Sequence, residues 1–300
     1  MDLSNALPAD TDDPRPRART AFVFAGGGSL GAIQVGMLKA LAEFGVFPDM
    51  VVGTSVGSIN AAYLAGRPTL EGVNELEKLW LDLRRDQLFP FTLRSLARFV
   101  RRRDFLLDSA ALYALIDRKL PYDRLEHAQI PVHIVTTDLL TGRTIVLSQG
   151  PAAAAIVASC SIPAAFPAVV IDGRFLADGG ITSNTPVKTA ADLGATRLVV
   201  MPTGYACGMT RPPQQVVASA IHGLNLMMCA QVVRDLEALP PTTSYHVVPS
   251  LCPLDVSSID FSQTARLIDR AQRVAADWIA AGGLKTYSVP SVMRPHSHGV

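Results

Sequence analysis

Short apolar runs rich in β-branched residues alternate along the chain with longer segments of helical periodicity. The apolar runs predict buried strands at residues 20–25, 50–53, 132–136, 144–147, 169–171 and 197–201. The amphipathic segments predict helices at residues 31–44, 58–65, 70–83, 109–120, 213–239 and 262–280. Such alternation is typical of an α/β fold in which helices flank a mostly parallel central sheet.

The chain has 300 residues, and no Pro/Ser/Gly-rich linker interrupts its middle. A disordered arm is predicted at residues 1–18, which are rich in Asp, Pro and Arg. We therefore expect one α/β domain over residues 19–287 and a flexible tail over 288–300. The tail contains His296 and His298, which could bind a metal, but a mobile tail is the simpler interpretation.

Composition narrows the possible partners. The net charge of +1 and the 6% aromatic content give no reason to expect nucleic acid. The four cysteines, Cys160, Cys207, Cys229 and Cys252, are widely spaced, which argues against a zinc site or a dense disulfide framework and favours a reducing compartment. Without a secretory signal pattern or a run of about 20 apolar residues, we expect a cytoplasmic protein, peripheral at most to a membrane.

Candidate chemistry begins with Gly53-Thr54-Ser55-Val56-Gly57, which follows an apolar strand-like run and precedes a helix-like one. A serine inside Gly-x-Ser-x-Gly at a strand-to-helix turn exposes its hydroxyl above the sheet, because the glycines leave room for the sharp turn. The following helix N-terminus favours negative charge near the hydroxyl. The motif makes Ser55 a candidate nucleophile, although ordinary turns also contain it.

A glycine-rich turn, Gly26-Gly27-Gly28-Ser29-Leu30-Gly31, joins the first predicted strand to the first predicted helix. Its backbone N–H groups suit an anion. A dinucleotide pyrophosphate is one candidate, since the turn satisfies G-x-G-x-x-G, but the next strand ends in Gly-Thr-Ser and lacks the acidic residue that would hold ribose. The other candidate is the oxyanion of an acyl intermediate. A plain tight turn is the structural alternative.

The base that would activate Ser55 is less obvious. The sequence predicts His133 as a packed strand residue, and leaves His222 and His246 as the histidines to test for a Ser-Asp-His order. Asp178 follows a hairpin-like segment with an Asp172-Gly173 turn signal and opens Asp178-Gly179-Gly180. A carboxylate in a partly desolvated pocket could serve as the base directly, whereas the alternative is an ordinary Asp-Gly turn.

Four segments together resemble the patatin-like phospholipase family over roughly residues 20–205. Gly26 to Gly31 resembles its oxyanion-hole motif, and Gly53 to Ser58 resembles its nucleophile elbow. The segment from Ala158 to Pro167 is similar to the family's proline segment. Asp178-Gly179-Gly180, followed by Asn184-Thr185-Pro186-Val187, resembles its catalytic aspartate block.

The resemblance implies a Ser-Asp dyad that acts on lipid esters through an acyl-serine intermediate, without metal, cofactor or catalytic histidine. It implies Ser55 as nucleophile, Asp178 as base, and the backbone of the glycine turn (Gly26, Gly27, Gly28, Ser29 and Gly31) as the anion site. The family often carries Arg or Lys where this chain has Leu30, so one cation near the anion site is replaced by an apolar side chain.

A basic amphipathic segment from Phe91 to Arg103 could lie on an anionic bilayer or could simply be a solvated helix. The expected function is a lipid acyl hydrolase. A dinucleotide-binding oxidoreductase and a catalytically inactive lipid-binding scaffold stay open as alternatives. The sequence leaves head group, acyl-chain length and oligomeric state undetermined.

Overall fold

The computed structural model describes residues 19–83, 109–204, 207–209, 211–287, 289–294 and 296. The basic segment 91–103 and the N-terminal arm 1–18 lie outside the described residues. The predicted domain bounds stay predictions. Beyond residue 287, residues 291–293 form a 3-10 turn in which Met293 is buried.

Eight strands of the described chain form one sheet. They are β1 (Thr20–Phe24), β2 (Met50–Thr54), β3 (Val132–Asp138), β4 (Thr144–Leu147), β5 (Val169–Ile171), β6 (Arg174–Asp178), β7 (Arg197–Met201) and β8 (Ser244–Val247). Their order is β5-β6-β3-β2-β1-β7-β8, with β4 paired to β3. Strands β3, β2, β1, β7 and β8 are parallel, whereas β4, β5 and β6 add antiparallel pairs beside them.

Helices cover both faces of the sheet. They are α1 (Gly31–Glu43), α2 (Val56–Gly66), α3 (Leu70–Asp82), α4 (Ala110–Lys119), α5 (Ala152–Ser159), α6 (Gly180–Ser183), α7 (Val187–Asp192), α8 (Val216–Glu237) and α9 (Thr264–Ala280). The predicted α/β class is therefore confirmed. The helix α5 and the strand β8 were not predicted, because an alanine run and a short, partly polar strand give weak periodic signals.

Two hydrophobic clusters fill the space between helices and sheet. One face of the sheet, which includes Phe22 and Phe24, packs against α1, α2, α3 and α9. The opposite face, which includes Val23 and Val52, packs against α7 and α8. Both faces of the central strands are buried, which explains why β1 and β2 are almost continuously apolar. No helix in the described ranges is both long and apolar enough to cross a bilayer.

The predicted hairpin turn at Asp172-Gly173 is confirmed. It joins β5 and β6, which pair in antiparallel fashion. Asp172 and Gly173 have positive φ values of 49° and 73°, as expected of the two-residue turns whose twist matches that of a hairpin. The hairpin turns β6 back along β3, so that Asp178 at the end of β6 faces the middle of the sheet.

One edge of β3 carries two strands in succession. Strand β2 pairs with the first half of β3, and β6 pairs with the second half in the opposite direction. Strand β4 overlaps both and must occupy the other edge, since a strand residue has one neighbour on each side. The pair Thr54 and Val135 is thus followed directly by the pair Asp178 and Thr136. This register brings Asp178 beside Ser55, the residue after β2.

Candidate active site

Ser55 occupies a strained turn between β2 and α2. Its backbone has φ of 53° and ψ of −129°, a region that non-glycine residues seldom adopt and that costs about 1–3 kcal/mol. The backbone N–H of Ser55 donates to Ser159 Oγ at 2.8 Å, and the Ser159 hydroxyl donates in turn to the Val135 carbonyl at 2.6 Å. On the other side, Ser58 donates its backbone N–H and its hydroxyl to the Ser55 carbonyl. These bonds hold the strained serine in place.

The two glycines of the elbow are required by close backbone packing. A Cβ at Gly53 would lie 2.4 Å from the Gly57 carbonyl oxygen, and a Cβ at Gly57 would lie 2.6 Å from the Ala25 carbonyl oxygen. Neither backbone atom can move away without disturbing the helix α2 or the end of β1. The Gly-x-Ser-x-Gly spacing therefore has a direct steric cause in this fold.

The Ser55 hydroxyl donates to Asp178 Oδ2 at 2.7 Å. The other carboxylate oxygen, Oδ1, accepts the Gly180 N–H at 2.7 Å, and the Asp178 carbonyl accepts the hydroxyl of Thr137 at 3.0 Å. Asp178 is only 7% exposed. The two sequence-predicted residues, separated by 123 positions, thus form a hydrogen-bonded pair whose geometry permits direct proton transfer.

Burial raises the pKa of Asp178 from its ordinary 3.8 to about 6, although the hydrogen bonds from Ser55 and Gly180 oppose this rise. Burial acts in this direction because it disfavours the charged form, whereas both hydrogen bonds favour it. The carboxyl with this pKa is mostly ionised at neutral pH and is more basic than an exposed carboxylate. It is suited to accept a proton from a serine hydroxyl.

The glycine turn runs beside the elbow. A Cβ at Gly26 would lie 3.2 Å from Ser55 Cβ and 2.5 Å from Asn184 Oδ1, so only a glycine allows this approach. The Gly26 carbonyl accepts the Thr203 hydroxyl at 2.7 Å. Gly28 has φ of +57°, and a Cβ there would meet the Ser258 carbonyl oxygen at 2.2 Å. The turn is fixed against three other segments of the chain.

The five residues predicted for anion binding differ in how their amides are used. Three amides already donate to protein carbonyls: Gly26 to Asn184, Ser29 to Ser258, and Gly31 to Gly28 and Ser29. The amides of Gly27 and Gly28 have no such partner among the described residues, and Gly28 lines the same cavity as Ser55. The role of this turn as the oxyanion site stays a prediction. The geometry limits the candidate donors to the backbone amides of Gly27 and Gly28.

A buried polar network supports the turn from below. Gln34 Nε2 donates to the carbonyls of Ala25 and Met201 at 2.8 and 3.0 Å. Asn60 donates to Gln34 Oε1 at 2.8 Å and accepts the indole N–H of Trp80 at 2.8 Å. No sequence motif indicates a role for these residues or for Ser159. The available signal was the presence of single polar residues on otherwise buried helical faces of α1 and α2.

Leu30 occupies the position where a basic residue is common in the family that the sequence resembles. Its side chain is buried in the main hydrophobic cluster. The leucine therefore contributes packing beneath the turn and offers no side-chain cation there.

An apolar cavity of about 800 Å³, a volume that includes its open mouth, leads to Ser55. Aliphatic and aromatic side chains dominate its lining, including Ile59, Trp80, Leu112, Ile162 and Phe261. An apolar lining of this kind suits a hydrocarbon chain.

The described residues that line this cavity include no histidine. His133 Nδ1 lies 2.6 Å from Ser148 Oγ within the sheet, and His246 Nδ1 lies 3.1 Å from the Thr286 carbonyl at the far side of the sheet. Burial lowers the pKa of both imidazoles. Ser55 therefore hydrogen-bonds a carboxylate, Asp178, and no histidine among the described residues lines its cavity.

A model of the patatin-like phospholipase family matches residues 22–191, more than half of the chain. The chain belongs to the patatin-like phospholipase family. The resemblance inferred from the four sequence segments is thereby confirmed. Ser55, Asp178 and the glycine turn all lie inside the patatin-like region, while β7, α8, β8 and α9 lie beyond it.

Two curated relatives show the extent of the similarity. Patatin-like phospholipase domain-containing protein 7 of Mus musculus is 28% identical over 197 residues, which cover 61% of this chain and 13% of that protein. An uncharacterized NTE family protein of Mycobacterium tuberculosis strain H37Rv is 30% identical over 212 residues, which cover 70% of this chain and 56% of that protein. The chain thus spans only part of the length of these patatin-like relatives.

Solved structures with a similar chain trace include VipD from Legionella pneumophila, at 16% identity and a TM-score of 0.47, covering 91% of this chain and 67% of that one. Human GIVD cytosolic phospholipase A2 is 13% identical with a TM-score of 0.42, covering 89% of this chain and 59% of that one. The present chain covers only part of the length of each of these two structures.

Proposed function

We propose that the protein is a carboxylic-ester hydrolase that cleaves lipid acyl esters through a Ser55–Asp178 dyad. The 2.7 Å hydrogen bond from Ser55 Oγ to the buried Asp178 carboxylate carries this proposal. The strained elbow and the adjacent glycine turn supply the other parts that acyl transfer requires. Membership of the patatin-like phospholipase family supports lipid as the substrate class.

In the first half of the reaction, Ser55 Oγ attacks the ester carbonyl carbon while its proton passes to Asp178 Oδ2. The resulting tetrahedral oxyanion accepts hydrogen bonds from the amides of Gly27 and Gly28, which are worth a few kcal/mol in comparable sites. When the intermediate collapses, the C–O bond to the alcohol breaks. Asp178 returns the proton to the leaving alkoxide, and an acyl-Ser55 ester remains.

In the second half, a water molecule attacks the acyl-serine carbonyl while Asp178 accepts its proton. The same amides stabilise the second oxyanion. Collapse breaks the bond to Ser55 Oγ, which regains its proton from Asp178, and the fatty acid leaves. The pKa of about 6 lets Asp178 accept and return protons near neutral pH.

The apolar cavity beside Ser55 is the proposed site for the acyl chain. Each buried CH₂ group contributes about 0.8 kcal/mol, or roughly a fourfold gain in kcat/KM, until the chain fills the space. A phospholipid or a lysophospholipid is the proposed natural substrate, in line with the name of the family. From its sequence, segment 91–103 is proposed to contact anionic lipid.

Purified Ser55→Ala should lose at least about 10³-fold in kcat for hydrolysis of a p-nitrophenyl acyl ester, since both half-reactions need the hydroxyl. Ser219→Ala is the matched control, because Ser219 is an exposed serine of α8 outside the cavity. Retained activity in Ser55→Ala would refute the dyad. If the wild-type protein has no esterase activity, the lipid-binding scaffold becomes the favoured function. An absorption spectrum of bound flavin or nicotinamide in the purified protein would favour the oxidoreductase.

Ile59→Trp tests the acyl-chain site, because it places a larger side chain in the cavity. It should lower kcat/KM for a decanoyl ester much more than for a butyryl ester. Ile181→Trp, at a half-exposed position outside the cavity lining, should leave the chain-length profile unchanged. Equal losses for both esters in Ile59→Trp would argue that the acyl chain binds elsewhere.

A further inference from the structure

Two cysteines and a histidine that are far apart in sequence meet outside the patatin-like region. Cys207 Sγ lies 3.8 Å from Cys252 Sγ, and Cys252 Sγ lies 3.3 Å from His296 Nε2. All three ligand atoms lie within 4.8 Å of one another, and each residue is partly buried. The residues are 45 and 44 positions apart, so a search for closely spaced cysteine pairs cannot find this cluster.

Two of the distances within the cluster are close to those around a tetrahedral zinc ion. With Zn–S bonds of about 2.3 Å and Zn–N bonds of about 2.0–2.1 Å, tetrahedral angles place two sulfurs about 3.8 Å apart and a sulfur and a nitrogen about 3.5 Å apart. Cys252 is therefore already spaced from both Cys207 and His296 as a fellow zinc ligand would be, and Cys207 and His296 lie within 4.8 Å of each other. A disulfide needs a sulfur-to-sulfur distance of about 2.0 Å, well short of the separation here.

The orientation of His296 supports the same conclusion. Its Nδ1 lies 2.8 Å from the Arg294 carbonyl oxygen, so Nδ1 carries the hydrogen and donates it. The lone pair of Nε2 then faces Cys252. Histidines that bind metals usually donate their other ring N–H to a carbonyl or carboxylate, which fixes the tautomer and the ring orientation.

The segment that carries His296 is anchored on the domain. Met293 is buried in the cluster beneath α8, and Arg294 Nη2 donates to Glu237 Oε1 at 2.9 Å. Cys207 follows β7 on the segment that includes Thr203, whose hydroxyl bonds the Gly26 carbonyl. Cys252 follows β8. The cluster thus joins three segments next to the glycine turn.

We propose that Cys207, Cys252 and His296 bind a thiophilic divalent cation, with Zn²⁺ as the best match. Two thiolates and one imidazole are ligands that zinc prefers, and water completes the tetrahedron. Binding forms two Zn–S bonds and one Zn–N bond, and releases the two thiol protons to solvent, with no change of oxidation state. The cation would tie the C-terminal segment and the two loops together.

The test is a Zn²⁺ titration of the full chain, freed of any affinity tag, metal-stripped and kept reduced with a phosphine. One equivalent of Zn²⁺ should bind. Cys207→Ser, Cys252→Ser and His296→Asn should each weaken the affinity by at least about 100-fold, beyond the 10–100-fold typical of outer-shell changes. His296→Asn is the variant least able to disturb folding, because the residue lies beyond the last described helix.

Cys229→Ser is the matched control. Cys229 lines the same cavity as Cys207 but is not in the group of three, so its substitution should leave the zinc affinity unchanged. Co²⁺ in place of Zn²⁺ should give thiolate-to-cobalt charge-transfer absorption that both Cys207→Ser and Cys252→Ser reduce. Zinc binding that these substitutions leave intact, or a reduced protein that binds no zinc, would overturn the proposal. A Cys207–Cys252 disulfide together with the absence of zinc binding after reduction would also overturn it.

Discussion

Replacing Asp178 with asparagine should stabilise the protein at neutral pH while removing its proposed activity. The ionised carboxylate is buried, and its pKa is raised from 3.8 to about 6. Each factor of ten in proton affinity corresponds to about 1.4 kcal/mol, so holding this charge at pH 7 costs the folded state about 3 kcal/mol. Asparagine resembles the neutral acid in shape and avoids that cost.

The sign of the pH dependence follows from the raised pKa. The folded state binds the proton more tightly than the unfolded state, so the stabilising effect of neutral Asp178 is complete below pH 3.8 and is lost as the pH rises through about 6. Relative to wild type, Asp178→Asn should therefore gain about 3 kcal/mol in free energy of unfolding across this window. Above about pH 6, the difference in free energy of unfolding between Asp178→Asn and wild type should stay constant.

Urea denaturation of wild type and Asp178→Asn between pH 4 and pH 8 measures this difference. Ser55→Ala is the control, since it keeps the carboxyl group and removes a hydrogen bond that favours the charged form. Its own pH dependence should be as steep as that of wild type or steeper. A difference between Asp178→Asn and wild type that does not change with pH would refute the reasoning about the buried charge.

Three further expectations follow from the geometry. Ester hydrolysis should have a kcat/KM that rises with pH, with a midpoint near the Asp178 pKa of about 6; a flat profile from pH 5 to 8 would contradict Asp178 as the base. Gly26→Ala should lower kcat by about 100-fold, because its Cβ would press on the elbow. Gly223→Ala is the control and should leave kcat unchanged, because no atom lies within 4 Å of the added Cβ. Ser159→Ala should cost about 1–3 kcal/mol of stability and lower kcat, because it leaves the Ser55 N–H without its acceptor; wild-type stability and kcat would contradict its positioning role.

Much of the fold could be predicted from local sequence. The central strands are continuous apolar runs, and the helices α3 and α9 are strongly amphipathic, whereas α1 and α2 are buried on nearly every side and carry a weaker period. The hairpin at Asp172-Gly173 was predictable because its two residue types favour positive φ. Strand β8 and helix α5 were not, since neither carries a clear period.

The candidate site, like the fold, could be predicted only in part from local sequence. Ser55 and Asp178 stand in short motifs with a steric rationale, but their contact depends on the pairing of both β2 and β6 with one edge of β3. No local pattern encodes that long-range register. Ser159 and Asn60 likewise lie on helices whose neighbours are known only once the sheet is formed. Polar residues on buried faces identify such positions but not their partners.

The central claim is that Ser55 is a nucleophile activated by Asp178. Labelling with an alkyl fluorophosphonate, followed by peptide mass spectrometry, tests nucleophile and activation together, because the reagent reacts with activated serine hydroxyls. We expect one adduct per chain, located on Ser55, and a labelling rate at least about 100-fold lower in Asp178→Asn. An adduct on another residue, or labelling of Asp178→Asn at the wild-type rate, would contradict the account.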